Sequence, residues 1–362
     1  MFDVAIIGAG LAGLTCAQQL HQAGYRVVIV EKSRGVGGRV ATRRLQDTCA
    51  DHGVRYLEPQ GELLRQLIER LCDRGILQAW TDTTYQLKSA EPEPEITTEP
   101  HSSGMTRYVA PLGMTAVAKF LATGLEIWLN LRVQAITLTP EQTWHLTCDS
   151  TTEASKELTA RAVVVAIPAP QALMLLEPLA ETGLPPGFLD SLRSVEFNPC
   201  LSVMAGYPNA REQKLPLPNW NACTLQDTDL AWIGLDSRKR LNPQMPIFVL
   251  QSTAEFAKRH LDTEDLKSAG QQLLTRAAQL LIPWLDTPDW VQVHRWRYAF
   301  PHHFLPQECL DTTTPLPLVC CGDWCGGHLI DSAMNSGLAA ASQINNQLQQ
   351  RILPGERFLD VL

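Results

Sequence analysis

The chain has 362 residues, 45% of them hydrophobic, and a formal net charge of −8. That length suits about two domains rather than one core, and the acidic balance argues against a polyanion such as nucleic acid as a partner. No stretch approaches the ~18 uninterrupted apolar residues of a membrane helix. The first strand starts so close to Met1 that no signal peptide is expected before it, so the reading is a cytoplasmic protein whose ten cysteines are free thiols.

Asp3 to Ile7 reads as a short apolar strand, Leu11 to Ala23 as a helix closed by Gly24, and Tyr25 to Val30 as a second strand. Together they make one βαβ unit of a parallel sheet. Residues 61 to 75 predict an amphipathic helix, 81 to 104 an exposed polar loop with a Glu-Pro-Glu-Pro run, and Leu112 to Leu121 another helix. Glu126 to Thr137 and Thr143 to Cys148 alternate like antiparallel strands, and Ala162 to Ile167 is a continuous apolar strand stopped by Pro168. Beyond it come strands at Leu201 to Tyr207, Ala231 to Leu235, Ile247 to Gln251 and Val291 to Tyr298, with helices around 253 to 260 and 264 to 281. That mixture predicts a separate α+β unit. Leu316 to Cys321 is a last apolar strand, followed by a helix from about Leu329 to Gln349.

The turn after the first strand is Gly8-Ala9-Gly10-Leu11-Ala12-Gly13. Gly8 permits the tight turn, Gly10 lets a pyrophosphate approach the backbone, and Gly13 lets the helix pack on the sheet. The helix start around Leu11 and Ala12 offers unpaired N–H groups to phosphate. Glu31 ends the second strand, 23 residues after Gly8, where an acid accepts hydrogen bonds from a ribose diol. Lys32 and the loop Arg34-Gly35-Val36-Gly37-Gly38-Arg39 follow, a glycine-dense stretch with guanidinium groups suited to a second side of the pyrophosphate.

Glu31 followed by Arg34 and Gly37-Gly38-Arg39 resembles the FAD-dependent flavin amine oxidase superfamily. So does Gly322-Asp323 after a strand, with Gly326-Gly327 and then a helix carrying Ser336-Gly337. Asp51-His52-Gly53-Val54-Arg55-Tyr56 and Arg295-Trp296-Arg297-Tyr298-Ala299 are most similar to its renalase-like branch. The resemblance implies an α/β fold: a Rossmann-like FAD-binding domain of the glutathione-reductase type, with a second α+β substrate domain built on an antiparallel sheet. It places residues 1–60, 105–168 and 315–362 in the first domain and 61–104 and 169–314 in the second. It implies Asp323 on the ribityl chain, the backbone of Leu329 and Ile330 at the flavin N1–C2=O edge, Arg132 and Val133 at the adenine, and Gly53 and Val54 against the isoalloxazine ring. Arg55 departs from the branch, where Gln is usual at that position.

Noncovalent FAD is the expected cofactor, since Cys325 sits nearer the ribityl chain than the ring. No resident metal is expected: Cys320, Cys321 and Cys325 with His328 would allow zinc, but two buried strand cysteines and a turn cysteine explain them as well. Arg55, Tyr56, Trp296, Tyr298 and Trp324 are candidates for the pocket, the aromatics being equally readable as core. His294, His302 and His303 read as hydrogen-bonded or solvated residues rather than bases, and no lysine falls in the strands expected beside the flavin. The implied reaction is hydride transfer from a small molecule to flavin N5 with reoxidation by dioxygen. The renalase-like substrate would be a dinucleotide, an NAD(P)H isomer oxidised to NAD(P)+. An amine oxidase or desaturase of the same superfamily, or a non-catalytic flavoprotein, are the alternatives.

Overall fold

Strands that are apolar on both faces need cover on both sides, and the chain supplies it with helices on one side and a second layer on the other. The computed structural model describes residues 1–45, 48–88, 105–150, 155–215 and 220–362. Along the chain it forms β1 (Phe2–Ile7), α1 (Leu11–Gln22), β2 (Val27–Val30), β3 (Thr42–Leu45), β4 (Thr48–Asp51), α2 (Glu62–Asp73), β5 (Gln78–Thr81), β6 (Tyr85–Lys88), β7 (Arg107–Val109), α3 (Thr115–Leu121), β8 (Ile127–Trp128), β9 (Leu131–Leu138), β10 (Trp144–Ser150) and β11 (Lys156–Val165). It continues with α4 (Ala169–Leu176), α5 (Pro186–Arg193), β12 (Glu196–Gly206), β13 (Ala222–Gln226), β14 (Leu230–Leu235), β15 (Ile247–Ser252), α6 (Ala254–Arg259), α7 (Leu266–Leu280), β16 (Trp290–His303), β17 (Leu310–Thr312), β18 (Leu318–Cys320) and α8 (Ile330–Gln347).

The first sheet runs β17-β18-β11-β1-β2-β8, with β10 and β9 extending from β11. β1 pairs in parallel with both β2 and β11, and β11 in parallel with β18, so the ends of the first and last apolar strands lie close together. α1 and α8 cover one face. They approach at Gly337, where a Cβ would lie 2.4 Å from the Ala12 carbonyl oxygen, while Gly13 lets α1 close on the sheet, a Cβ there lying 2.1 Å from the Gly8 carbonyl oxygen. The second sheet runs β16-β12-β15-β14-β13-β6 and is antiparallel except at its β13–β6 edge. One face packs Leu201, Val203, Phe248 and Leu250 on α6 and α7. The other face turns Met204, Trp232, Ile247 and Val249 toward Leu45 and Ala50 of the β3–β4 hairpin. That seam between the hairpin and the second sheet positions the site.

Four expectations change. Glu126 to Thr137 is two strands, broken at Asn130 (φ 57°), and its first piece, β8, runs parallel to β2 rather than antiparallel to a neighbour. Residues 85–88 form an edge strand rather than loop, because Leu87 is buried against Leu225; the Glu-Pro run lies outside the described residues. α3 starts at Thr115, since Gly113 has φ +98° and Leu112 stays 85% exposed. Finally, Leu63, Leu64, Leu67, Ile68 and Leu71 of α2 pack in the core of the first sheet's helical face beside α8, and Leu176, Phe188, Leu189 and Leu192 of α4 and α5 pack beneath β9 to β11. On that packing we propose a domain boundary after α5, with α2 in the first domain.

Candidate active site

The cradle is built at the carboxyl ends of β1 and β2. Gly10 precedes α1 with no side-chain cap, and a Cβ there would meet nothing within 4 Å, so the helix start faces open space. Glu31 is 8% exposed and accepts from the Ala9 amide (2.9 Å) and the Ser33 amide (2.8 Å), one oxygen to each. It thereby ties the glycine turn to the end of β2. The Gly37 amide donates to the Ala9 carbonyl (2.8 Å), which brings Gly38 against Gly10. Lys32 and Arg34 are exposed at the rim. Val133 is buried in β9, whose start is hooked to the end of β2 by Leu131 N–H to Glu31 O and Asn130 N–H to Ser33 O, each 3.0 Å. An uncapped helix start, an open glycine face and an acid beside them fit the pyrophosphate and ribose of a dinucleotide.

Arg39 and Asp323 meet as a fork, both N···O distances 2.6 Å, and Arg39 also donates to the Ala299 carbonyl (3.0 Å). The two glycine motifs that the sequence separates by nearly the whole chain are thus joined by one charge-assisted pair. Leu329 caps α8 without a side-chain hydrogen bond and is 45% exposed, and Ile330 is the helix's first residue. The helix start therefore offers free N–H groups to a developing negative charge. Asp331 turns away from that role. It accepts from the Leu64 amide (3.2 Å) and so caps α2, whose own cap Gly61 has no side chain.

Residues 52–55 follow β4 without a strand partner, and two side chains of the second sheet and one of the turn after β14 hold their carbonyls. Trp296 Nε1 donates to His52 O (2.8 Å), Gln251 Nε2 to Gly53 O (2.7 Å) and Lys239 Nζ to Arg55 O (2.7 Å). From the other side the Val54 amide donates to Arg39 O (2.9 Å). The Arg55 guanidinium lies in the seam, its Nε donating to Gln251 Oε1 (2.6 Å) and its plane 4.8 Å from the Trp232 ring. Burial pulls it below its ordinary range. Arg55, Gly53, Val54 and Trp296 are therefore brought together. Gln251, Trp232 and Lys239 join them unforeseen.

Lys239 and Arg240, in and after the short turn Asp236–Lys239, meet Asp51 and Asp236 in a buried quartet. Lys239 Nζ is 2.7 Å from Asp236 and 3.6 Å from Asp51, and Arg240 is 2.9 Å from Asp51 and also bonds Asp236. Burial would raise the Asp51 carboxyl, but Lys239 and Arg240 outweigh it and hold it below its ordinary value. Thr42 Oγ1 (2.7 Å) and the Met114 amide (2.9 Å) donate to the same carboxylate. The quartet pins the hairpin, one residue before His52, to the second sheet. No lysine is expected in the strands here, and Lys239 reaches the segment from outside them. Lys239 lies in a turn rather than a strand and directs its protons to Asp236 and a carbonyl.

His52 sits with its ring edge-on to His294 (centroids 4.6 Å) and stacked on Trp296 (5.2 Å). Burial, followed for His52 by the neighbouring His294 and for both by Arg43, lowers each imidazole to about 4. The folded pKa lies below the ordinary 6.5, so between those values the unfolded chain takes up protons that the folded chain refuses. Stability from the pair is full above about pH 6.5 and is lost as pH falls toward 4. Thermal melts from pH 7 to 4.5 should show a shallower acid loss in His52→Gln than in wild type; parallel profiles would refute the assignment.

Other candidates fall elsewhere. Trp324 is not a pocket wall: it is 0% exposed, packed beneath the first sheet with Nε1 donating to Ile167 O (3.1 Å). It sits with Asp323 at the centre of a turn closed by Cys325 N–H on Gly322 O (3.1 Å), and its ring enters the core while Asp323 faces Arg39. Tyr56 packs near Trp80 (6.1 Å) under the Arg107 guanidinium, on the far side of the segment from Trp296. Tyr298 shares the face of Trp296 and meets Phe197 edge-on (5.8 Å). Arg297 points the opposite way, to Asp262 (2.8 Å). His302 and His303 are exposed. All ten cysteines are free, and burial pushes the Cys320, Cys321 and Cys325 thiols well up. Among the described residues no group of three or more His, Cys, Asp or Glu is placed to hold a metal, and no helix is long and apolar enough to cross a membrane.

A family model described as flavin containing amine oxidoreductase matches residues 95–345, and one described as an NAD(P)-binding Rossmann-like domain matches residues 6–71. An L-amino-acid oxidase of Crotalus adamanteus is 42% identical over 67 residues, 18% of this chain and 13% of that relative, so the match spans a small part of the relative's length. A redesigned putrescine oxidase superposes with a TM-score of 0.72 at 15% identity, covering 95% of this chain and 99% of the other. The cyclohexylamine oxidase from Brevibacterium oxydans IH-35A gives 0.67 at 14%, covering 96% and 99%. These two likenesses show the fold.

Proposed function

The chain belongs to the flavin-containing amine oxidoreductase family, and from that premise we propose that it is an FAD-dependent oxidase taking a hydride from a small-molecule substrate, with an anionic dinucleotide, an isomer of NAD(P)H, as the best-supported substrate. Bound FAD would supply the hydride acceptor at N5 and the route of electrons to dioxygen. On this reading Gly8, Gly10, Leu11, Ala12 and Gly13 receive the pyrophosphate, Glu31 the adenosine ribose, Val133 the adenine, and Gly37 to Arg39 with Asp323 the phosphates and ribityl chain. Gly53 and Val54 lie along the ring, and the start of α8 at Leu329 and Ile330 stabilises negative charge at its N1 edge.

The observation that carries the substrate class is Arg55. Its guanidinium is buried in the seam, and its hydrogen-bond partner there is the neutral Gln251. A buried cation without a counter-charge disfavours a protonated amine and favours an anion. The surrounding groups also suit chemistry that needs no base. His52 and His294, held at about 4, are weak proton acceptors, and Lys239 is committed to Asp236 and Arg55 O. A dihydropyridine becomes aromatic on losing hydride and asks for none. The same guanidinium would suit the carboxylate of an amino acid, which supports an amine-oxidase reading as second choice.

Anaerobic titration of the flavoprotein with borohydride-generated NAD(P)H isomers, ordinary NADH, L-amino acids and putrescine separates these. Reduction by the isomers is expected, with Arg55→Met weakening their binding or slowing reduction by about 1.5–3 kcal/mol, the loss of a charged hydrogen bond. Reduction by an amine alone would replace the dinucleotide reading, and a flavin that none of them reduces would leave a non-catalytic flavoprotein.

A further inference from the structure

A buried guanidinium is ordinarily paired with a carboxylate, because an uncompensated charge in a low-dielectric seam is costly. Arg55 breaks that pattern. Its neighbours are the Gln251 amide (2.6 Å), the Trp232 ring (4.8 Å), the Tyr56 hydroxyl and the Cys200 thiol, all neutral, and among the described residues no carboxylate pairs with it. The nearby acids are already used: Asp51 and Asp236 are matched by Lys239 and Arg240.

Gln251 is placed for more than filling space. It is 2% exposed, projects from β15 on the seam-facing side of the sheet, and makes both of its amide contacts to the flavin-facing segment. The orientation of the amide is fixed by chemistry. Arg Nε can only donate, so it takes the oxygen, and the Gly53 carbonyl can only accept, so it takes the nitrogen (2.7 Å). A glutamate of the same shape would lose the second bond and neutralise the guanidinium.

We infer that Gln251 is the positioning residue that sets the charge preference of the site. It anchors Gly53 and orients Arg55 while leaving its charge free for an anionic group of the substrate. The inference rests on the reading of Arg55 as the substrate's anion partner and adds the residue that makes it so.

The test uses the flavin-loaded protein, wild type, Gln251→Glu and Gln251→Met, with two readouts: the flavin midpoint potential, and NAD+ binding followed by the flavin absorbance change. Gln251→Glu is expected to hold flavin, to show a lower midpoint potential than wild type, and to bind NAD+ about tenfold or more weakly, one lost charged contact. Gln251→Met keeps the charge, so its potential should stay near wild type while NAD+ binds more weakly because Arg55 is no longer oriented. Potential and NAD+ affinity both unchanged in Gln251→Glu would overturn the inference. Should that variant fail to hold flavin, NAD+ affinity in Gln251→Met equal to wild type would overturn it instead. A wild-type protein that ignores NAD+ while Gln251→Glu still lowers the potential would sink the dinucleotide reading and leave the role of Gln251 standing.

Discussion

Gly53→Ala is expected to strip most of the flavin from the protein and to lower the melting temperature of the flavin-free chain. An ideal Cβ at this position lies 1.9 Å from the Arg39 carbonyl oxygen and 3.0 Å from its carbon, with the Trp296 ring at 3.3 Å. The obstacle is backbone, so no side-chain rotation relieves it. Either the Gly38–Arg39 loop retreats, which breaks the Arg39 fork on Asp323, or residues 52–55 retreat, which breaks the bonds from Trp296 and Gln251 and the Val54 amide bond to Arg39. Overpacking of about 1–3 kcal/mol and the loss of a hydrogen bond at about 0.5–1.5 kcal/mol together predict a cost of about 1.5–4.5 kcal/mol. Calorimetry of the flavin-free protein and the flavin-to-protein absorbance ratio read the two effects. A variant matching wild type in both would show that the close approach of residues 39 and 53 does not constrain the site.

The glycine turn, Glu31 and the Gly322-Asp323 motif were legible because each is a local pattern: a strand end, a fixed spacing and a residue type that the backbone geometry demands. The residues that give the site its charge were not. Gln251 meets Gly53 across 198 residues of sequence, and nothing around it in β15 distinguishes it from any polar residue between apolar ones. Lys239 and Arg240 carried a faint signal, since Asp236 precedes them by one helical turn's spacing between two apolar strands. A run of charges there reads more readily as a solvated turn. Trp324 misled for the opposite reason. It follows Asp323 directly, but the two are the central residues of a turn closed by Cys325 N–H on Gly322 O (3.1 Å), and only the Asp faces the cradle. The stripe of leucines in α2 shows that the helix is covered but not by what, so its place in the first core is not legible from the sequence.

Lys239→Met is expected to cost more than any other single change in the seam. The ammonium is fully buried between Asp236 (2.7 Å) and Asp51 (3.6 Å), and it also holds the Arg55 carbonyl (2.7 Å). Removing it leaves two buried carboxylates sharing Arg240 alone, an uncompensated charge of the kind that costs about 3–5 kcal/mol. The pH dependence fixes the sign. In wild type the Asp51 carboxyl is held below its ordinary value, so its contribution is present above the unfolded carboxylate's pKa and is lost as pH falls through the folded one. Without Lys239 that depression weakens, and protonating a carboxyl relieves the variant rather than harming it. Urea unfolding should therefore show a large gap between wild type and variant at pH 7 that narrows toward pH 5. A gap below about 1 kcal/mol at neutral pH, the range of an exposed pair, or one that widens on acidification, would show that the quartet is not the clasp between hairpin and sheet. If it is the clasp, Asp236→Asn added to Lys239→Met restores the charge balance and should recover part of the loss, while flavin content stays reduced because the Arg55 carbonyl has lost its donor.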